Sequence, residues 1–418
     1  MNNWNTVSNF ITFSTKGITP KYVEHSDVMV LNQKCIRNNR IDFSLAQFTD
    51  TGKISSDSKF IRVGDILINS TGTGTAGRCA FVSEIPKGYR LITDSHILLL
   101  RSNNYYEAKC LNYVLFSFEK TLMSFMTGSS GQSELDKVVL FGLKTKMSTD
   151  TNIQKNISII LSNLERKIEL NNKINAELEA MAKLIYDYWF VQFDFPNEDG
   201  LPYKSSGGKM VWNEELKREI PEGWGVKELN DLCAKIGDGI HGTPNYVEDS
   251  EYYFINGNNL KNGYIRTDSD TKHINEEEYN KYFIELNDGT ILLSINGTLG
   301  NLAVYLGEKV MLGKSSAYIN CKNSYRPYCY QFLKQPHMFK LFWNLATGST
   351  IKNLSLDSIK KLKIQVPNNN LVEEYYKRVI SMDDKRKNIF KENEELSELR
   401  DWLLPILMNG QVKVETNT

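Results

Sequence analysis

The octapeptide TPKYVEHS at residues 19–26 returns as TPNYVEDS at residues 243–250, identical at six of eight positions and displaced by 224 residues. A repeat of that spacing limits the fold before any motif is weighed, because two copies of one sequence plan fold into two copies of one domain. The correspondence continues along the chain. Asn32 falls on Asn256, ILINSTGTGTAGRCAFV (66–82) is echoed by ILLSINGTLGNLAVY (291–305), and TGSSGQSELD (127–136) by TGSTIKNLSLD (347–357). At 418 residues the chain is also too long for one hydrophobic core, which rarely grows past about 250–300 residues. Each half reads as a β-rich domain of short apolar runs and glycine turns, followed by a long helical segment.

The helical segments share a pattern. Ile153, Ile157, Ile160, Leu164, Ile174, Leu178, Met181 and Ile185 recur at steps of three and four, interrupted by Lys167 and Asn171. In the second copy Val372, Tyr375, Val379, Met382, Ile389, Leu396, Leu399 and Leu403 do the same around Arg386 and Asn393. That is a heptad seam, and polar residues on a seam fix register at a cost in stability. A helix with one apolar seam needs a partner, and its own repeat is the natural one; packing onto the β-rich domains would leave much the same pattern. A helix of about 38 residues is about 57 Å long, so the pair could space two like domains apart. Between the halves, FPNEDGLPYKSSGGKMVWNEELKREIPEGW (195–224) is rich in Gly, Pro and Ser and reads as an ordered linker. The expected layout is a first domain over 1–148, a helix over 149–191, a linker over 192–222, a second domain over 223–367, a helix over 368–410 and a tail over 411–418.

Two glycine motifs invite a nucleotide reading. GTGTAG (72–77) has the spacing of a dinucleotide fingerprint, which needs a strand before it, a helix after it and an acidic residue about 20 positions on. GDILINS (64–70) supplies the strand and Asp94 stands near the acidic position, but RCAFV (78–82) continues as a second strand. In the second copy the segment is NGTLGN (296–301) and the spacing is lost. GEKVMLGKS (307–315) resembles a P-loop with five residues between the glycines instead of four, followed by a strand-like AYIN. Both read as strand turns, and an enzyme binding a nucleotide or S-adenosylmethionine through Gly72–Gly77 is the alternative function.

Composition is that of a globular protein with 50 basic and 50 acidic residues, so any anionic partner must be met by local patches. KNLSLDSIKKLKI (352–364) is one such patch, with Lys352, Lys360, Lys361 and Lys363; a solvated helix face fits it equally. The six cysteines form no CxxC pair and the five histidines no ligand-like pair, which argues against a metal site. MNNWNTVSNF at the start has neither the basic nor the apolar region of a secretory signal, no apolar run approaches a membrane span, and a cytoplasmic location is expected.

Four further stretches carry a resemblance. AELEAMAKLIYDYWFVQFDFP (176–196), GLPYKSSGGKMV (200–211), REIPEGWG (218–225) and LLPILMNGQV (403–412) resemble the specificity subunits of type I restriction-modification systems, and the likeness extends over essentially the whole chain. The resemblance implies an α+β protein with two target-recognition domains and two long helices paired as an antiparallel coiled coil. It implies a subunit without catalysis or cofactor of its own, reading a bipartite site on double-stranded DNA. Its expected partners are methyltransferase (modification) subunits and a restriction/translocase subunit. The chain lacks the adenine-methyltransferase signature of Asn or Asp, two prolines and an aromatic; DFPN (194–197) does not match it.

Base edges are read by polar and basic side chains on loops between paired strands. In the first copy those loops offer Lys21, Tyr22, Asn69, Ser70, Thr71, Thr73, Arg78, Ser129 and Gln132. In the second they offer His241, Thr243, Asn245, Tyr246, Asn256, Asn258, Asn296, Thr298, Asn301, Lys314, Ser349 and Lys352. Shared residues such as Thr19, Pro20, Tyr22 and Val23 have a competing role in building the turn. If the two domains read different sequences, contacts belong where the copies differ, as at Lys21 against Asn245. On the helices, Leu164, Ile174, Leu178, Met181, Met382, Ile389, Leu396 and Leu399 are the expected partner-binding residues.

Overall fold

A computed structural model of the chain describes residues 4–54, 56–72, 74–124, 126–127, 134–267, 270–322, 324–367 and 369–408. It divides into two compact units, Met1–Asn171 with Glu392–Thr418, and Asn172–Lys391.

In the first unit eight short strands form two four-stranded sheets. They are β1 (Phe13–Lys16), β2 (Tyr22–Val23), β3 (Val28–Leu31), β4 (Gln47–Thr49), β5 (Ile66–Asn69), β6 (Cys79–Phe81), β7 (Arg90–Thr93) and β8 (Ile97–Arg101). One sheet has the order β1-β8-β5-β6 and is antiparallel throughout. The other has the order β7-β3-β4-β2, with β3 and β7 parallel. A parallel pair cannot be closed by a tight turn, and here the chain makes β4, β5 and β6 before it returns. The ILIN and ILLLR runs of β5 and β8 show no polar alternation because both faces of their sheet are covered. Ile66, Ile68, Leu98 and Leu100 join a core with the helix Tyr105–Ser117 and both long helices, while Leu67, Ile97 and Leu99 join a second core with Leu31, Ile36 and Leu91.

The second unit repeats this plan strand for strand: β9 (Cys233–Asp238), β10 (Tyr246–Val247), β11 (Tyr252–Ile255), β12 (Lys272–Ile274), β13 (Thr290–Ser294), β14 (Leu302–Val304), β15 (Val310–Leu312) and β16 (Ser316–Cys321). The sheet orders are β9-β16-β13-β14 and β10-β12-β11-β15, again with one parallel pair, β11 with β15. The central strands again divide their side chains between two cores, Ile291, Leu293, Ala317 and Ile319 on one face and Leu292 and Tyr318 on the other.

The first long helix runs over Thr151–Tyr186 and continues as a π-helical turn over Asp187–Val191; the second runs over Asn369–Met408. In the first unit Ile157 and Leu161 share a core with Leu404, Leu407 and Met408, while Asn171 Nδ2 donates to Asn393 Oδ1 at 3.0 Å and to Glu392 Oε2 at 2.7 Å. In the second, Arg386 Nη2 lies 3.1 Å from Glu179 Oε2, and the Tyr375 hydroxyl donates to the Ala182 carbonyl at 3.3 Å. In each unit one residue number falls as its partner's rises, so the helices run antiparallel. Each also packs on the β-rich domain of its unit, so the two packing modes weighed from the heptad pattern coexist. Among the described residues no helix is long and apolar enough to cross a membrane.

The stretch after the first helix is ordered. Met210–Asn213 and Arg218–Pro221 form a hairpin, and Phe195 stacks between Tyr203 and Trp224.

Candidate nucleic-acid interface

Backbone bonds fix the equivalence of the loops at one end of each unit. Ser70 N–H donates to His96 O at 2.8 Å, as Ile295 N–H does to Ser315 O at 2.9 Å; Leu135 N–H donates to Ser70 O at 2.7 Å, as Leu354 N–H does to Ile295 O at 2.9 Å. Bridges Ile18 to Asp94 and Thr71 to Glu134 correspond to Ile240 to Gly313 and Asn296 to Asn353. In each unit the turn after β1 or β9, the glycine turn after β5 or β13 and the turn before β8 or β16 thus converge with the stretch Glu134–Leu135 or Asn353–Leu354, and side-chain bonds from Asn69 to Gln33 O and from Ser315 to Asn256 add the turn after β3 or β11. Of the described residues singled out from sequence, Ser349 and Lys352 lie just before Asn353, and Lys21, Tyr22, Asn245 and Tyr246 lie at the β2 and β10 strands of the second sheet; the others lie on the four turns.

In the first unit Asn69 and Ser70 are fully enclosed. Asn69 Nδ2 donates to Gln33 O at 3.2 Å and Ser70 Oγ to His96 O at 2.9 Å, so both side chains hold the turn together. Thr71 is half-buried, with its Oγ1 2.8 Å from Gln33 Nε2 and 2.8 Å from His96 Nδ1. Arg78 donates through Nη2 to Gly74 O at 2.8 Å, with its Nε 3.9 Å from Glu119 Oε1. Burial raises the Glu119 carboxyl above its ordinary pKa against the pull of Arg78. Lys21 is exposed beside Asp50 at 3.2 Å, and Tyr22 is exposed. Thr73, Ser129 and Gln132 lie outside the described residues.

In the second unit His241 Nε2 sits 3.0 Å from Asp238 Oδ2, and Asn245 Nδ2 donates to Glu278 Oε1 at 2.8 Å. Asn256 Oδ1 accepts from Ser315 Oγ at 3.0 Å, and Thr298 Oγ1 pairs with Ser294 Oγ at 3.0 Å. Asn296 is half-buried on its bridge; Thr243, Tyr246, Asn258, Thr298, Asn301, Ser349 and Lys314 are exposed, and Lys352 is half-buried. Neither Lys314 nor Lys352 makes an ion pair among the described residues. In the neighbouring basic run, Lys361 is spent on Asp357 at 2.8 Å and Lys363 on Glu215 and Glu228 at 3.2 and 3.4 Å.

The glycine turn answers the nucleotide question geometrically. Thr75 and Ala76 N–H donate to Gly72 O, Gly77 N–H to Asn69 O and Arg78 N–H to Thr75 O, so four successive amides are turned into the loop itself and away from a phosphate. Gly77, at φ +83°, leads directly into β6, and a Cβ there would lie 2.9 Å from Leu122 Cβ. The glycines lead into a strand, not into the helix N-terminus that a phosphate site uses. Gln33, His96 and Ser315 take part in these clusters without having been picked out by sequence; Gln33 and Ser315 face equivalents, Gly257 and His96, of unlike chemistry.

Of the helix residues, Ile389 is buried, Leu164, Ile174, Leu178, Met382 and Leu396 are half-buried, and Met181 and Leu399 are exposed.

One scaffold is built twice, with different side chains on equivalent loops. The type I restriction modification DNA specificity domain matches the chain twice, over residues 24–180 and 221–397, and the chain belongs to that family. The type I restriction enzyme HindI specificity subunit of Haemophilus influenzae is 25% identical over 450 residues, covering 93% of this chain and 95% of that protein. The MjaIX specificity subunit of Methanocaldococcus jannaschii is 27% identical over 326 residues, covering 72% of this chain and 69% of that protein. In fold, the chain resembles the S subunit of a type I restriction-modification system from M. genitalium, with a TM-score of 0.56 at 17% identity over 99% of this chain and 97% of that one.

Proposed function

We propose that this chain chooses the DNA target of a cytoplasmic type I restriction-modification complex. Each unit reads one half of a bipartite site on double-stranded DNA through its converged loops, while methyltransferase subunits bound to the helices do the chemistry. A restriction/translocase subunit joins the larger assembly, and the chain itself binds no cofactor. The observation that carries this reading is the pairing of one scaffold with two loop chemistries, which suits two different half-sites. In the first unit Lys21 and Tyr22, exposed at β2, and Arg78 on the glycine turn are the base and phosphate contacts; in the second they are Asn258, Thr298, Asn301, Lys314, Ser349 and Lys352. Asn69, Ser70, Thr71 and Asn256 hold those loops in place.

Six of the eight seam residues are at least half-buried, which leaves the outer helix face for partners. In the second unit Met181, Leu184, Tyr188 and Val191 recur at three- and four-residue steps and are all exposed, an apolar stripe suited to a methyltransferase subunit. In the first unit Leu399 and Trp402 are exposed in the same way.

The test is to produce the chain with the methyltransferase subunits encoded beside it in a methylation-free host and to map modified bases across the genome. One bipartite motif is the expected result. Absence of any motif, or micromolar binding of S-adenosylmethionine, ATP or NAD by the isolated chain, overturns the reading.

A further inference from the structure

We infer that His96 is a base-reading residue of the first unit, presenting an N–H donor to an acceptor on a base edge, an assignment that rests on the DNA-recognition reading above. Its ring is set by a relay of three side chains. Gln33 Nε2 donates to the Thr71 carbonyl oxygen, which fixes which end of the amide is nitrogen, and the same Nε2 lies 2.8 Å from Thr71 Oγ1. That bond occupies one lone pair of the threonine oxygen and leaves its proton available to His96 Nδ1, 2.8 Å away. We take Nδ1 as the acceptor of that proton, which places the neutral ring's own proton on the outward Nε2.

The backbone fixes the other end of the residue. His96 N–H donates to Asp94 Oδ1 at 3.0 Å, and His96 O accepts from both Ser70 N–H and Ser70 Oγ. A side chain that is exposed while its main chain and one ring nitrogen are held is pre-organised for a contact, because little freedom remains to be lost on binding.

The second unit places a different chemistry at the same point. Ser315, the equivalent of His96, has its hydroxyl drawn inward, accepting from Gly257 N–H at 2.9 Å and donating to Asn256 Oδ1 at 3.0 Å. Gly257 stands where Gln33 does, so the relay cannot form there, and the exposed side chain of that turn is Lys314. The scaffold position is constant and its outward chemistry is not, as expected of a position that separates two half-site sequences.

In the major groove an N–H donor is accepted by guanine N7 and O6, adenine N7 or thymine O4, and is repelled by the amino group of cytosine. His96 therefore excludes cytosine at one position of one half-site. The experiment uses the complete complex with its methyltransferase subunits and maps methylated sites for the wild type, His96→Ala and Thr71→Val. His96→Ala is expected to relax the exclusion of cytosine about tenfold at one position and to leave the other half-site untouched. Thr71→Val, which frees the ring without removing it, is expected to relax the same position less. An unchanged motif with His96→Ala overturns the assignment, as does equal relaxation in both halves, which would mark a structural role. Absence of a motif from the wild type overturns the recognition reading itself. Thermal melting of the same preparations separates the cases, since a contact residue leaves the melting temperature in place.

Discussion

Single residues divide into those that hold the loops and those that face outward, and residue type alone does not separate them. Asn69 and Ser70 are as polar as any base-reading residue, yet they end a buried strand and spend their hydrogen bonds on Gln33 and His96. His96 was illegible for the opposite reason, because its role comes from Thr71 and Gln33, 25 and 63 positions away in the chain. For Lys314 and Lys352, exposed and half-buried and without an ion pair among the described residues, contact with phosphate predicts a definite signature. Replacing either with Ala should weaken DNA binding by the complex evenly across sequences and lower the slope of log affinity against log salt by about 1, measured by titration at several salt concentrations. Glu308 offers a pH-dependent test of the second unit. Burial raises its carboxyl above the ordinary range, against the Leu306 and Glu308 amides and the Lys387 and Lys391 charges, and its Oε1 makes no hydrogen bond among the described residues. A raised acid favours the folded state when protonated, so its contribution is full below the ordinary glutamate value of about 4.3 and is lost as pH rises through the shifted value. Glu308→Gln should melt above the wild type at pH 8, with the difference closing toward pH 4; a lower melting temperature at pH 8 would mean that the lysines hold the carboxylate.

At the scale of elements, the heptad seams were readable because helical period survives partial burial. The sheets were readable only as a count of short apolar runs. β5 and β8 are covered on both faces, so the alternation that reveals a half-exposed strand is absent, and the parallel pairing of β3 with β7 leaves no local mark on the sequence. Arg386 interrupts the second seam, and the structure gives it a reason. Its guanidinium is buried between Glu179 and Asp383, with Asp383 also bound by Arg326 at 3.1 Å and Glu179 by Lys334. Removing one member of such a network leaves charges desolvated, so Arg386→Met should cost the second unit up to about 3–5 kcal/mol, lessened because Lys334 and Arg326 remain. Urea unfolding of the full chain measures it. A variant as stable as the wild type would mean that the network adds little beyond the packing around it. Asn171 and Asn393 do in the first unit what polar seam residues do, the one donating to the other where an apolar pair would slide.

For the whole molecule, the duplicated octapeptide foretold two like domains, and among the described residues their two four-stranded sheets match strand for strand, down to the parallel pairing of β3 with β7 and of β11 with β15. The sequence could not show how the chain apportions its helices. Replacing Lys21 with Ala should impair one half-site only, read as lost methylation of sequences varied in that half; equal loss in both would mean that the residue is structural. The first unit takes its helical cover from both ends of the chain: Met1–Asn171 is joined by Glu392–Thr418, and Leu404, Leu407 and Met408 complete its core. Asn172–Lys391, by contrast, is one unbroken stretch. A chain emerging from the ribosome therefore has every residue of its second unit in hand before it has those that close its first. The half that is translated earliest is the last that can finish folding, and until then the apolar face those three residues cover must be kept from other surfaces.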